Sequence, residues 1–145
     1  MSDALPESPS GGSVVRVRVR FGETDLMGIV HHASYVTYME VARVEWLRRR
    51  GVTYALWAKK GVHLAVVELW VKYLAPARFD DELDVATTLA EMRVASARFE
   101  YRLVRSDGTL CASGSTRLAF VDDRQALRRF TPEMVEAMSR AERSL

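Results

Sequence analysis

The hydrophobic period of the chain changes several times, and each change marks an element. Val15, Val17, Val19 and Phe21 alternate with Arg16, Arg18 and Arg20. A period of two belongs to a strand, here with one apolar face and one arginine face. That arginine face is most simply solvated. Gly22 to Gly28 is rich in turn residues. From His32 to Arg50 the period lengthens, and Tyr35, Tyr38, Met39, Ala42 and Trp46 fall at helical spacing. Gly51 follows as the expected helix stop. Arg48, Arg49 and Arg50 fall in the last turn, where the helix dipole favours positive charge. Thr53 to Lys60 reads as a short second helix closed by Gly61.

Alternation then returns in Ala65, Val67, Leu69, Val71 and Tyr73, and Ala75-Pro76 ends it. Leu83, Val85, Thr87 and Leu89 alternate, as do Ala97, Phe99, Tyr101 and Leu103. Ser106-Asp107-Gly108 predicts a tight hairpin, because Asp-Gly supplies positive φ angles. A return strand follows from Leu110 to Asp122. Thr131-Pro132-Glu133 opens a terminal helix, with Thr131 as N-cap and Pro132 in the first helical position. The order is strand, long helix, about four strands, then a helix. That is α+β rather than alternating β/α. The long helix carries bulk off its main stripe at Val36 and Leu47. A five-stranded antiparallel sheet curled around one central helix satisfies it.

Composition narrows the class. The chain has 145 residues, 48% hydrophobic and 28% charged, which suits one soluble globular domain. Residues 1–12 carry Pro, Ser and Gly and few large apolar side chains, so they read as a flexible tail, leaving 13–145 as a single domain. No apolar run approaches the ~20 residues of a membrane helix. The net charge is +2, or +4 without the acidic tail residues Asp3 and Glu7, a mildly basic balance that suits an anionic small molecule and is too weak to argue for nucleic acid. The lone Cys111 has no internal disulfide partner, and a cytoplasmic location is the natural expectation.

The chemistry is concentrated in the segment from Phe21 to Tyr35. Asp25 sits in the strand-to-helix connection, ahead of Gly28 and the helix start. Helix N-termini present unsatisfied N–H groups and partial positive charge, which polarise a carbonyl oxygen held there. A carboxylate beside that carbonyl can attack its carbon or activate a water. Alternatively, Asp25 is a turn residue that bonds its own backbone. Glu23 is the competing carboxylate, with a weaker functional signal. His31 and His32 are adjacent and do not converge on one ion as an i, i+4 pair would, so no metal is expected, and carboxylate-driven acyl transfer calls for no other cofactor. No Gly-x-Ser-x-Gly elbow occurs, which argues against a serine triad.

These residues carry a resemblance. Phe21, Glu23-Thr24-Asp25, Gly28-Ile29-Val30 and His31-His32-Ala33-Ser34-Tyr35 resemble the hotdog-fold thioesterases of the 4-hydroxybenzoyl-CoA thioesterase group, most closely the YbgC/FadM-like acyl-CoA thioesterases. Tyr38 to Glu45 and Tyr73-Leu74-Ala75-Pro76-Ala77-Arg78-Phe79-Asp80-Asp81 are similar too. The resemblance implies a hotdog fold and acyl-CoA hydrolysis. It makes Asp25 the catalytic carboxylate, nucleophile or base, with His32 opening the helix, its backbone N–H facing the thioester carbonyl and its imidazole assisting. Gly28 and Ile29 would permit close approach, and Tyr35 would line the acyl pocket. Lys72, Arg93 and Arg98 would meet the CoA phosphates. Family members assemble as dimers or dimers of dimers with sites between subunits, so a homo-oligomer is expected, as dimer or tetramer. The chain departs from the pattern in two places. Phe21 or Gly22 stands where the YbgC-like tyrosine does, and His31 replaces an aromatic. Other readings are an acyl-ACP thioesterase, a non-catalytic acyl-CoA binder or cell-envelope interaction protein, and a nucleic-acid module on the Arg16/Arg18/Arg20 face. A hotdog hydratase would carry Gly-Asp-x-Asn-Pro-x-His, which is absent.

Overall fold

A computed structural model describes residues 11–142. The elements run β1 (Gly12–Arg18), a 3-10 turn (Phe21–Glu23), α1 (Ser34–Arg48), α2 (Tyr54–Lys59), β2 (His63–Tyr73), β3 (Glu82–Met92), β4 (Ser96–Arg105), β5 (Leu110–Val121) and α3 (Pro132–Met138). The strands form one antiparallel sheet in the order β1-β3-β4-β5-β2. Among the described residues no helix is long and apolar enough to cross a membrane.

The alternation places one face of the sheet on α1. Val85, Phe99, Tyr101 and Leu103 are fully buried, as are Met39, Ala42 and Trp46 of the helix. Trp46 and Phe99 meet edge to face at 5.1 Å. Burying each large apolar side chain is worth about 1.5–3 kcal/mol, so this seam is the main stabilising layer. Gly114 of β5 lets the helix approach. A Cβ there would stand 2.5 Å from the Trp70 carbonyl oxygen and 2.6 Å from Met39 Cε. Gly114→Ala is therefore expected to cost about 1–3 kcal/mol by overpacking. Thermal unfolding should register that as a Tm lowered by roughly 2–10 °C.

Several boundaries differ from the pattern. Residues 1–10 of the expected tail lie outside the described residues, and Gly12, also given to that tail, opens β1. The strand ends at Arg18 rather than Phe21, because the Arg20 to Glu23 turn closes there. Phe21 consequently projects outward, 76% exposed. The arginine face of β1 is ion-paired as well as solvated: Arg16 meets Asp84 at 2.9 Å, and Arg18 meets Asp80 and Glu82. α1 starts at Ser34, so His32 lies in the turn before the helix rather than in it. Arg50 follows the helix and is buried, bonded to Ser13 Oγ at 2.8 Å and stacked 3.7 Å over Trp46. The Thr131 cap is present, accepting the Met134 N–H at 3.2 Å.

β2 departs most from simple alternation. Its register slips between Val66 and Glu68, so Val66 and Val67 are both exposed. It is an edge strand, and Leu69, Trp70 and Tyr73 are also about half exposed.

Candidate active site

The connection from β1 to α1 folds back on itself. Thr24 and Val30 form an antiparallel bridge, and Asp25 N–H donates to the Ile29 carbonyl at 2.9 Å. The reversal between them contains Gly28, whose φ of 77° favours glycine. Nothing lies within 4 Å of the Cβ it lacks, so the glycine serves the backbone turn rather than a close contact inside the chain. Leu26 and Met27 at the tip are strongly exposed.

Asp25 itself is half-buried. One of its oxygens, Oδ1, accepts the Met27 N–H at 2.8 Å. That is the local turn bond anticipated for an Asp in a loop. It uses one lone pair of four and leaves Oδ2 without a bond among the described residues. The turn role and a chemical role are therefore compatible in one side chain.

His32 follows, exposed. Its ring lies 4.2 Å from that of His31, and its carbonyl accepts the Tyr73 hydroxyl at 2.8 Å. Among the described residues the His32 N–H donates to no group. Ser34 N–H, two residues on, already donates to the His31 carbonyl at 2.9 Å. Ala33 N–H is likewise used, by His31 Nδ1 at 3.2 Å, so the His32 amide is an unused donor ahead of α1.

Glu23 carries more of the local structure than its sequence signal suggests. Its Oε1 accepts the Arg20 N–H at 2.7 Å and the Tyr38 hydroxyl at 2.9 Å, while Oε2 takes the Arg20 guanidinium at 3.1 Å. Burial alone would raise this carboxyl, but the bonds from Arg20 and Tyr38 outweigh it and hold the pKa below the usual range. The same partnership, with burial as the larger cause, pushes the Tyr38 phenol well up.

The remaining predicted residues fall in different places. Tyr35 is buried, edge-on to Tyr38 and Tyr73 at 6.1 and 5.4 Å, and burial raises its phenol. Ile29 is half-buried and bridges to Arg78. Lys72 lies on the sheet face away from α1, in register with Ser113. It has no carboxylate partner among the described residues. Arg93 is paired with Glu91, and Arg98 with Glu100. Sequence reading missed Arg102, which shares the Ser113 row with Lys72 and whose buried Nε has no partner among the described residues. Its unpaired state is a register effect, visible only once β2, β4 and β5 are aligned. The other candidate soft ligands are elsewhere: His63 bonds Asp123 at 2.7 Å, and Cys111 is buried. A cavity of about 650 Å³ lies at the far end of α1, between Val52, Trp57, Phe120 and Met134, and touches none of the predicted residues.

Around Asp25 the surface is apolar. Phe21 packs edge-on against Phe79 at 5.8 Å, and both are more than half exposed, as are Leu26 and Met27. A carboxylate, an unused amide and a greasy surround form a site open on one side.

Comparison with known proteins bears on the fold and the family. Acyl-CoA thioester hydrolase YbgC of Escherichia coli is 36% identical over 121 residues, 83% of this chain and 90% of that protein. A hypothetical protein from Thermus thermophilus has the same fold at a TM-score of 0.83 and 41% identity, over 88% of this chain and 97% of the other. DHNA-CoA thioesterase from Staphylococcus aureus superposes with a TM-score of 0.85 and 29% identity, over 88% and 89% of the two chains. These are hotdog thioesterase relatives, and the curled sheet on α1 is that fold. The family model described as the Thioesterase-like superfamily matches residues 19–140, from the end of β1 through the carboxylate turn and on past α3, and the chain belongs to that superfamily.

Proposed function

We propose that the protein hydrolyses acyl-CoA thioesters to the free acid and CoA. One observation carries the reading: a half-exposed carboxylate and an unused backbone N–H are held in a single hydrogen-bonded loop at the entry to the buried helix. A thioester lacks the resonance of an amide, so its carbonyl carbon is open to a modest nucleophile. The thioester oxygen would accept the His32 N–H, aided by the positive end of α1. Asp25 then attacks the carbon, or takes a proton from the water that does. Either way the C–S bond breaks and the thiolate leaves. In the first route water hydrolyses the acyl–Asp25 anhydride; in the second the acid forms directly.

Three features extend the proposal. Gly28 and Ile29 shape the turn under the carbonyl, and Tyr35 stiffens the wall behind it. Lys72 is the best placed of the three phosphate candidates to meet CoA, because Arg93 and Arg98 already hold carboxylates. The site also works between copies of the chain, as a dimer or a dimer of dimers. Support for that comes from the half-exposed apolar residues of the edge strand β2 and from the open apolar surround of Asp25. A cytoplasmic setting fits a single buried thiol.

The test is thiol release from a panel of short, long and aromatic acyl-CoA esters, followed with a thiol-reactive dye, with carrier-protein thioesters as a parallel arm. Release from at least one acyl-CoA supports the reading. Saturable binding of acyl-CoA with no release would make the protein a binder instead.

A further inference from the structure

We propose that Glu23 is the positioning residue of this site, fixing Asp25 and His32 relative to one another through a clamp on both ends of the loop. The proposal rests on the reading of Asp25 as the reacting carboxylate. Its basis is how many separate segments meet at one residue. The Glu23 carboxylate takes the Arg20 N–H at the end of the first strand segment and the Tyr38 hydroxyl in the second turn of α1. The Glu23 carbonyl takes the His31 N–H at 2.8 Å and the Ser34 hydroxyl at 3.3 Å. Four attachment points, one before and three after the reversal, thus close on one side chain and its own carbonyl.

Asp25 lies two residues after Glu23, and His32 directly follows His31. Each proposed participant is thus tied to Glu23 by a very short stretch of chain. The Thr24–Val30 bridge continues the same ladder toward Asp25. The outer half of the loop is bonded mainly within itself, through Met27 and Gly28 N–H to Asp25 and Asp25 N–H to the Ile29 carbonyl, while Leu26, Met27 and Gly28 are exposed. The Glu23 side chain is only 13% exposed, against 79% for Arg20, so the clamp is held from the Tyr38 side as well as by the surface ion pair. Charge matters to it: an ionised carboxylate accepts all three donors at once, and a charged acceptor makes each bond stronger than a neutral one. Glu23 touches no reacting atom in this scheme. It acts by setting where the Asp25 oxygen and the His32 amide point, and a displacement of about 1 Å can cost about 100-fold in rate.

The experiment compares Glu23→Gln, Glu23→Ala, Tyr38→Phe and the double variant Glu23→Ala/Tyr38→Phe with the parent chain and Asp25→Asn. All are assayed on one acyl-CoA, with folding checked by circular dichroism and Tm. Glu23→Ala is expected to lower kcat about 100-fold and Glu23→Gln about 10-fold, with KM within about twofold of the parent. Tyr38→Phe should lose a few-fold, and the double variant should lose no more than Glu23→Ala alone, because both act through one clamp. A merely structural glutamate would lower Tm without this separation of kcat from KM. Parental kcat in Glu23→Ala, beside an inactive Asp25→Asn, would overturn the clamp and leave the catalytic reading standing. An active Asp25→Asn would remove the reading itself. Equal losses in kcat and Tm across both Glu23 variants, or strict additivity in the double variant, would also overturn the clamp. Glu23→Gln keeps the shape of the side chain and serves if the alanine variant fails to fold.

Discussion

Asp25→Asn is expected to lower kcat for acyl-CoA hydrolysis by about 100- to 10,000-fold, with the fold intact. The asparagine is nearly isosteric, and its amide oxygen can still accept the Met27 N–H that Oδ1 accepts at 2.8 Å. The turn therefore survives. So do the Asp25 N–H bond to the Ile29 carbonyl and the Gly28 N–H bond to the Asp25 carbonyl, since both belong to the backbone. What disappears is the negative charge, and with it both available roles, attack on carbon and removal of a proton from water. KM should change little, because the acyl chain and the carrier make their contacts elsewhere. Steady-state rates of thiol release give both constants, and thermal unfolding should place Tm within a few degrees of the parent. Activity at the parental level would show that the carboxylate is only a turn residue. The prediction thus decides between two roles that the geometry allows together.

How far the sequence alone reaches depends on which residue is asked about. The central helix was legible because Tyr35, Tyr38, Met39, Ala42 and Trp46 keep one period and all are buried. The hairpin was legible from Asp107-Gly108, but only Gly108 takes a positive φ, at 88°, and the loop closed by Arg105 N–H on the Thr109 carbonyl is longer than a two-residue turn. Asp25 and His32 stood out through a motif, and the structure brings them to one loop. Glu23 stood out less, because nothing in a linear sequence reveals that Arg20 and Tyr38, three and fifteen residues away, converge on its carboxylate. Phe21 was misplaced for a related reason: its alternation with arginines continues past the point where the 3-10 turn begins. The irregularity of β2 was hidden as well. Ala65, Val67, Leu69, Val71 and Tyr73 alternate cleanly on paper, but a slip beside Val67 breaks the correspondence between parity and face. A bulge is a tertiary decision, made where an edge strand must bend to follow its neighbour.

That edge strand carries the second large prediction. Replacing Val66 and Leu69 together by lysine is expected to abolish self-association and to reduce thioester hydrolysis more than tenfold. Both side chains are about half exposed on β2, at 50% and 47%, and the strand is eleven residues long with no strand on its outer side among the described residues. A long apolar edge of this kind is a template for another strand, and lysine is the residue that natural sheets place on edges to prevent pairing. The inner side of β2 is paired to β5 from His63 to Tyr73 except at the slip beside Val67, so the fold should tolerate the change. Tyr73, at the end of the same strand, donates to the His32 carbonyl. The surface that would receive a second copy therefore borders the proposed site, and loss of the dimer should weaken catalysis along with association. Sedimentation velocity at micromolar concentration reads the first effect and thiol release reads the second. Val41→Lys on the exposed side of α1 provides the control, since Val41 is 46% exposed but lies away from the edge. It should leave both measurements unchanged. A parent chain that sediments as a monomer while fully active would overturn the dimer. Association that survives in the lysine pair would move the interface off β2.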